Sequence, residues 1–321
     1  MIRTLDLQLL DNIICMRDHF VRKLSELAEK NKKIILLTGD LGFGVLDDFA
    51  KQLPHQFVNV GIAEQNLTGI ATGLSLDNNR ITFTYSIGNF NTLRCLEQIR
   101  NDACYHEANV NIVSVGGGFS YGALGYSHHA TEDIAIMRAL PNIRIFCPCD
   151  FWEVQQITEK VVELGGVNYI RIDKSSAGNT QIKDEIFTVG KGRILSSGDD
   201  VTIISTGGIT EVALEASKEL RASNIHSTVV SMHTIKPIDE ELIKELAQKT
   251  KILVTLEEHT VIGGLGSAVS EVLMNSQIFP KKFKSIGLSS KFSTIVGSQT
   301  YLRKVNNLDT ISVVNAIKDF I

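Results

Sequence analysis

One carboxylate, Glu64, stands among glycine, alanine and aliphatic residues in the stretch VNVGIAEQNLTGIATG (58–73), where a helix should be burying its apolar face. An ionised carboxylate is rarely fully buried without a partner, so Glu64 either faces water or meets something that binds it. Two adjacent histidines, His128 and His129, follow in GYSHHATED (125–133). Imidazoles titrate near neutrality, which suits them to donate to a developing oxyanion or to shuttle a proton. Adjacent residues seldom aim at one ion, and the chain lacks a helical His-x-x-x-His, so no metal site of its own is expected. Arg171 and Lys174 in YIRIDK are cations able to hold a phosphate or carboxylate, although a strand-end cation is often simply solvated. A charged trio, Glu257, Glu258 and His259, closes another strand-like run, and the residues alone leave a ligand-facing site or subunit packing open there.

The elements that must carry these residues read as alternating strands and helices. KKIILLTGD, FVNVG, RITFTY, VNIVSVGG, IRIFCP and VNYIRID are strand-like, and NTLRCLEQIRNDACYHE and TEDIAIMRAL suit helices between them. Upstream, Ile13, Phe20, Leu24 and Leu27 recur at helical spacing behind Asp11 as a cap. Such alternation predicts an α/β fold with a parallel sheet covered on both faces. Around 174–200 the pattern gives way to polar, turn-rich sequence that reads as a linker plus a hairpin. Beyond it VTIISTGG, HSTVVSM and KILVTLEEH imply a second, smaller α/β unit, so the expected domains are 1–180 and 181–321. The glycine-rich pieces GGGFSYGALG (116–125) and GGLG (263–266) match no dinucleotide or triphosphate loop, and turn geometry or close packing is expected of both.

The 321 residues are 43% hydrophobic and 21% charged with a net charge of -4, an ordinary globular balance without the broad basic field that nucleic acid or anionic membrane requires. Asp6, Asp11 and Asp18 interrupt the apolar start, so no signal peptide is expected, and no apolar run approaches a membrane span. Five cysteines without a CxxC pair suggest free thiols and a cytoplasmic setting.

In order along the chain, NVGIAEQNLTGIATGLSL, NFNTLRCLEQIRND, GYSHHATEDIAIMRALPNIRIFCPCD, VVSMHTIKPID and LEEHTVIGGLGSAV resemble the C-terminal part of transketolase-like thiamine diphosphate enzymes, over nearly the whole chain. The resemblance implies two three-layer α/β/α domains, a pyrimidine-binding domain and then a smaller C-terminal domain with a mostly parallel sheet. It implies that Glu64, ending a G-x-x-E segment, meets N1′ of the cofactor's aminopyrimidine and favours the tautomer that takes a proton from the thiazolium carbon. Phe90 would stack on that ring, Ile62 and Ile87 would form apolar walls, and Asp40 would lie beside the cofactor. His128 would sit by the reacting carbonyl oxygen as a catalytic and substrate-binding residue, with Arg171 and Lys174 as further substrate ligands. Arg94 and Gln98 are expected to serve packing and to carry no chemistry.

Two departures matter. The resemblance places an aspartate four residues before His128, where this chain has Leu124, so the donor's hydroxyl would lack its partner. The G-D-G segment with its following asparagine, which holds Mg2+ and the diphosphate, is missing, and TGDLGFG (38–44) does not replace it. A split enzyme follows: a β-type subunit that self-associates as a dimer within an α2β2 heterotetramer, its partner supplying the diphosphate-binding domain. The implied activity is transfer of a two-carbon ketol unit between phosphorylated or nucleotide-linked sugars. The alternatives are the E1 β subunit of a 2-oxo acid dehydrogenase, a deoxyxylulose-phosphate synthase-like enzyme and a non-catalytic paralogue.

Overall fold

The computed structural model describes residues 15–321. The expected cap Asp11 and the apolar Ile13 lie outside the described residues, and the first described helix is Met16–Lys30. Twelve strands follow among the described residues: β1 (Ile34–Thr38), β2 (Phe57–Asn59), β3 (Ile81–Ile87), β4 (Val110–Val115), β5 (Ile143–Phe146), β6 (Val167–Ile172), β7 (Arg193–Ser196), β8 (Val201–Ser205), β9 (Ser227–Ser231), β10 (Thr234–Lys236), β11 (Ile252–Thr260) and β12 (Lys282–Leu288). They form two sheets, in the orders β10-β5-β6-β4-β3-β1-β2 and β12-β11-β8-β9-β7. Pairing is parallel except at β10–β5 and β7–β9. The α/β architecture agrees with the alternation in the sequence.

Strand periodicity explains how one sheet serves two cores. Along β1, Ile35 and Leu37 join one apolar cluster while Ile34 and Leu36 join the other, because successive side chains face opposite sides. The first cluster takes Leu67 and Ala71 from helix Glu64–Asn78 and continues into the second sheet through Ile204, Val230 and Leu253. The second takes Phe20 and Leu24 from helix Met16–Lys30 and Ile157 and Val161 from helix Phe151–Leu164. Asp150 starts the latter helix by accepting from Glu153 N at 2.7 Å, which satisfies one of its free amides.

Three local expectations change. The hairpin expected within 174–200 is absent among the described residues: β7 pairs with β9, and the segment before it is bolted to the first sheet's helix layer. Arg193 pairs with Glu153 and Glu185, lies 4.4 Å over Trp152, and Thr180 donates to Asp150, so buried charge rather than turn chemistry shapes this stretch. The segment after Phe90 is not a regular helix but a 3-10 turn (Leu93–Cys95), a single α turn (Leu96–Gln98) and a π-helix (Ile99–Cys104). Finally β10, from the later half of the chain, completes the edge of the first sheet.

Among the described residues, no helix is long and apolar enough to cross a membrane.

Candidate active site

The turns that leave β1, β2, β3, β4 and β6 all emerge at the carboxyl edge of the first sheet, where α/β folds build their ligand crevices. Glu64 begins helix Glu64–Asn78 directly after the turn that follows β2. A helix start is a favourable place for a carboxylate because unpaired amides and the helix dipole converge there. The turn is locked to its neighbour: Asn59 Oδ1 accepts from Gly61 N (3.0 Å) and Asp40 N (3.1 Å), while Asn59 Nδ2 donates to Asp40 Oδ1 at 3.0 Å. Asp40 holds a φ of 57°, a left-handed conformation that its reciprocal bonds with Asn59 sustain.

Glu64 is only 2% exposed, and its partner is Arg94, for which the sequence suggests no more than packing. Arg94 Nη1 donates to Glu64 Oε2 at 2.8 Å, and Glu64 Oε1 accepts no hydrogen bond among the described residues. The same guanidinium lies 4.2 Å over the Phe90 ring, and Phe90 meets His128 edge-on with ring centres 5.0 Å apart. Side chains from separate loops therefore touch in sequence: Glu64, Arg94, Phe90, His128. Phe90 and Arg94 stand four residues apart in sequence, and the irregular turn Leu93–Cys95 conceals that Arg94 reaches Glu64.

His128 is carried by the 3-10 turn Tyr126–His128, which Asn89 holds by donating to Ser127 O at 3.3 Å. Ser127 Oγ lies 3.0 Å from His128 Nδ1. His129 turns away into the core against Phe119, where burial pushes its imidazole below the usual histidine range. Ile62, in the turn before Glu64, is 77% exposed, and Ile87 ends β3 half-buried where the Phe90 turn begins. Leu124 is exposed and offers no polar atom.

The two expected substrate cations part company. Lys174, after β6, is exposed, lies 4.3 Å over Tyr121 and has no carboxylate within ion-pair distance among the described residues. Partial burial, with Arg17 nearby, lowers its pKa. Arg171 is 1% exposed and saturated: Nε donates to Asp133 Oδ2 (2.9 Å), Nη1 to Asp173 Oδ1 (3.1 Å), and Nη2 to the carbonyls of Ala130 and Glu258. It has no donor left for a substrate and does not join the site.

The remaining candidates are architectural. Glu258 Oε1 accepts from Phe119 N at 2.6 Å and its Oε2 from Arg303 Nε at 2.6 Å, tying the two halves of the chain together. Glu257 accepts from Leu265 N and Gly266 N at the start of helix Leu265–Ser276, so an internal carboxylate already fills the anion position of the GGLG loop. Burial nevertheless pushes Glu257 up to about 7. Ala135 N donates to His259 Nε2 while Nδ1 faces Thr260 O at 2.7 Å, which makes this imidazole the neutral Nδ1–H tautomer. Burial lowers its pKa, in keeping with that form. Cys149, Asp150 and Glu153 cluster at metal-ligand spacing, yet Glu153 is occupied by Cys149 N and Arg193 and Asp150 by the helix start and Thr180.

Comparison with known proteins finds two family matches, the transketolase pyrimidine binding domain over residues 13–179 and the transketolase C-terminal domain over residues 190–305. A putative transketolase C-terminal section of Methanocaldococcus jannaschii is 38% identical over 307 residues, covering 95% of each chain. A subunit of the apulose-4-phosphate transketolase of Phocaeicola vulgatus is 38% identical over 270 residues, covering 84% of this chain and 86% of that one. Among solved structures, a split gene transketolase described as an inactive β4 tetramer is 40% identical with a TM-score of 0.87, covering 96% of this chain and 98% of that one.

Proposed function

The chain belongs to the transketolase family, and from that premise we propose that it is the β-type subunit of a split, thiamine diphosphate-dependent enzyme that moves a two-carbon ketol unit between sugar substrates. Residues up to about 180 would serve the cofactor's pyrimidine and the remainder would serve assembly. It would work with a partner that supplies the diphosphate-binding domain and holds Mg2+, in an α2β2 assembly. Relatives named as a C-terminal section and as one subunit of a transketolase support that reading.

The observation that carries the proposal is the buried Glu64 carboxylate, with one oxygen uncommitted, beside the half-buried aromatic Phe90 and the imidazole of His128. These residues fit an aminopyrimidine: a carboxylate for a ring nitrogen and an aromatic face for stacking, with Ile62, exposed in the turn before Glu64, as an apolar wall. When bound, thiamine diphosphate supplies a nucleophilic thiazolium carbon and an electron sink. Glu64 holds or receives the proton at the pyrimidine nitrogen from a site that water barely reaches. Asn59 and Asp40 fix the turn from which Glu64 projects, and Ile87 leads into the turn that presents Phe90. His128 donates to the oxygen of the reacting carbonyl and carries its proton. Lys174 offers a charge for a substrate phosphate or carboxylate, and apolar Leu124 leaves the donor's hydroxyl configuration without a hydrogen-bonding judge.

The test is to titrate thiamine diphosphate and Mg2+ into the isolated chain and into its complex with the partner. Binding at micromolar concentration and ketol transfer are expected of the complex alone. Tight binding and full turnover by the isolated chain would overturn the split-enzyme reading.

A further inference from the structure

Arg94 occupies a peculiar position for a residue that only packs. Its side chain is 45% exposed, it projects from a short 3-10 turn, and among the described residues its guanidinium meets Glu64 and Phe90. A guanidinium is planar, cationic and rich in N–H donors along its edge. Here that group lies on Phe90 at 4.2 Å while one edge N–H donates to Glu64 Oε2 at 2.8 Å. A flat, nitrogen-bearing ring that stacks on Phe90 and offers N–H to Glu64 would make the same two contacts.

We propose that Arg94 is a built-in stand-in for the cofactor's aminopyrimidine: its guanidinium holds the Glu64 carboxylate and covers Phe90 until the ring arrives and displaces it. This inference rests on the functional reading above. Phe90 is half-buried, and the guanidinium covers one face of its ring at 4.2 Å, a face on which a planar ring would also stack. Glu64 is too deeply placed to be left alone, since an unpaired carboxylate there would lack both water and a partner. Arg94 solves the problem of the empty site. Its long side chain and its exposed root let it swing into water, so release costs little beyond the two contacts themselves.

The consequence is competition. Whatever stabilises the plugged form lowers the fraction of molecules ready to bind, and apparent affinity falls by that fraction. The ion pair is half exposed, which weakens it, while the stacked cation adds a modest term. Together they correspond to an apparent affinity reduced about tenfold.

The experiment measures thiamine diphosphate binding by isothermal titration calorimetry, with Mg2+ present, to the complex of this chain with its partner. Arg94→Met keeps most of the side chain's length and loses its donors and charge, and is expected to bind the cofactor about tenfold more tightly while the unliganded complex melts at a lower temperature. Arg94→Lys keeps the charge but cannot lie flat on Phe90, and is expected to bind about threefold more tightly, which covers the case of an Arg94→Met complex that does not assemble. In a Glu64→Gln background the gain from Arg94→Met should shrink, because the carboxylate that anchors the plug is gone. Weaker or unchanged binding by the Arg94 variants would overturn the stand-in and make Arg94 a supporting contact. Absence of cofactor binding by the unmodified complex would instead sink the functional reading itself, so the two failures are distinct.

Discussion

Two of the arginines that pair with buried carboxylates, Arg94 and Arg171, serve different ends. At Glu64–Arg94 the carboxylate is 2% exposed and the arginine side chain 45%, one carboxylate oxygen is uncommitted, and the guanidinium is anchored by Glu64 and Phe90 alone among the described residues. At Arg171 the arginine is 1% exposed and its partners Asp133 and Asp173 are as deeply buried, with two backbone carbonyls completing the shell. Glu258 and Arg303 extend that second network across the two halves of the chain. An arginine whose donors are all committed fixes geometry and has none left for a ligand. An unsaturated, half-open pair can exchange partners, and exchange is what binding and catalysis require.

Arg171→Met would strand two buried aspartates, and the chain is expected to lose about 3–5 kcal/mol of stability in denaturant titration, a large share of the total for an ordinary domain. A loss below about 1 kcal/mol would mean that the network is not structural. At the other pole, Glu64→Gln is expected to reduce turnover of the assembled enzyme by about 10²–10⁴-fold with little change in stability, the reverse profile. Near-normal turnover would remove Glu64 from the chemistry.

The two regions differ in legibility for physical reasons. Strand and helix alternation reveals the α/β architecture, because buried strands are continuous runs of β-branched and aliphatic residues whatever they pair with. Glu64 stands out locally as a charge among aliphatics, whereas the expectations for Phe90 and His128 rest on the resemblance, since an aromatic or a histidine alone is equally at home in a core. Arg94 and Arg171 cannot be sorted from sequence, since an arginine's role depends on which carboxylates lie across space. Asp133 and Asp173 both bond Arg171 in the fold but stand 38 and 2 residues away in sequence. The edge strand β10 is illegible too, being three residues long and paired with a strand from much earlier in the chain.

A subtler contrast concerns pH. His233 is fully buried against Phe187, and burial pushes its imidazole down to about 3. The unfolded chain takes up a proton near 6.5 that the native state refuses, so stability should fall as pH drops from 6.5 toward 3, by about 2 kcal/mol at pH 5. Glu257 acts in the opposite sense: with its carboxyl raised to about 7, the native state keeps a proton that the unfolded chain releases, and stability declines as pH rises from about 4.5 through 7. Denaturant titrations from pH 4 to 7.5 should show a flatter acid side for His233→Phe than for the unmodified chain. Identical slopes would mean that His233 is not the group responsible.

The smallest effect sharpens the catalytic pole. His128→Ala should slow turnover by about tenfold or more while thiamine diphosphate affinity changes little, because the imidazole serves the substrate oxygen rather than the ring. A large loss of cofactor affinity with unchanged turnover would reassign His128 to the support of Phe90, which it touches edge-on.

The most direct measurement is a crystal structure of this chain with its partner, Mg2+ and thiamine diphosphate. A Glu64 carboxylate oxygen is expected within about 3 Å of the pyrimidine N1′, hydrogen-bonding distance, with the ring stacked on Phe90. A cofactor ring bound beyond hydrogen-bonding reach of Glu64 would contradict it.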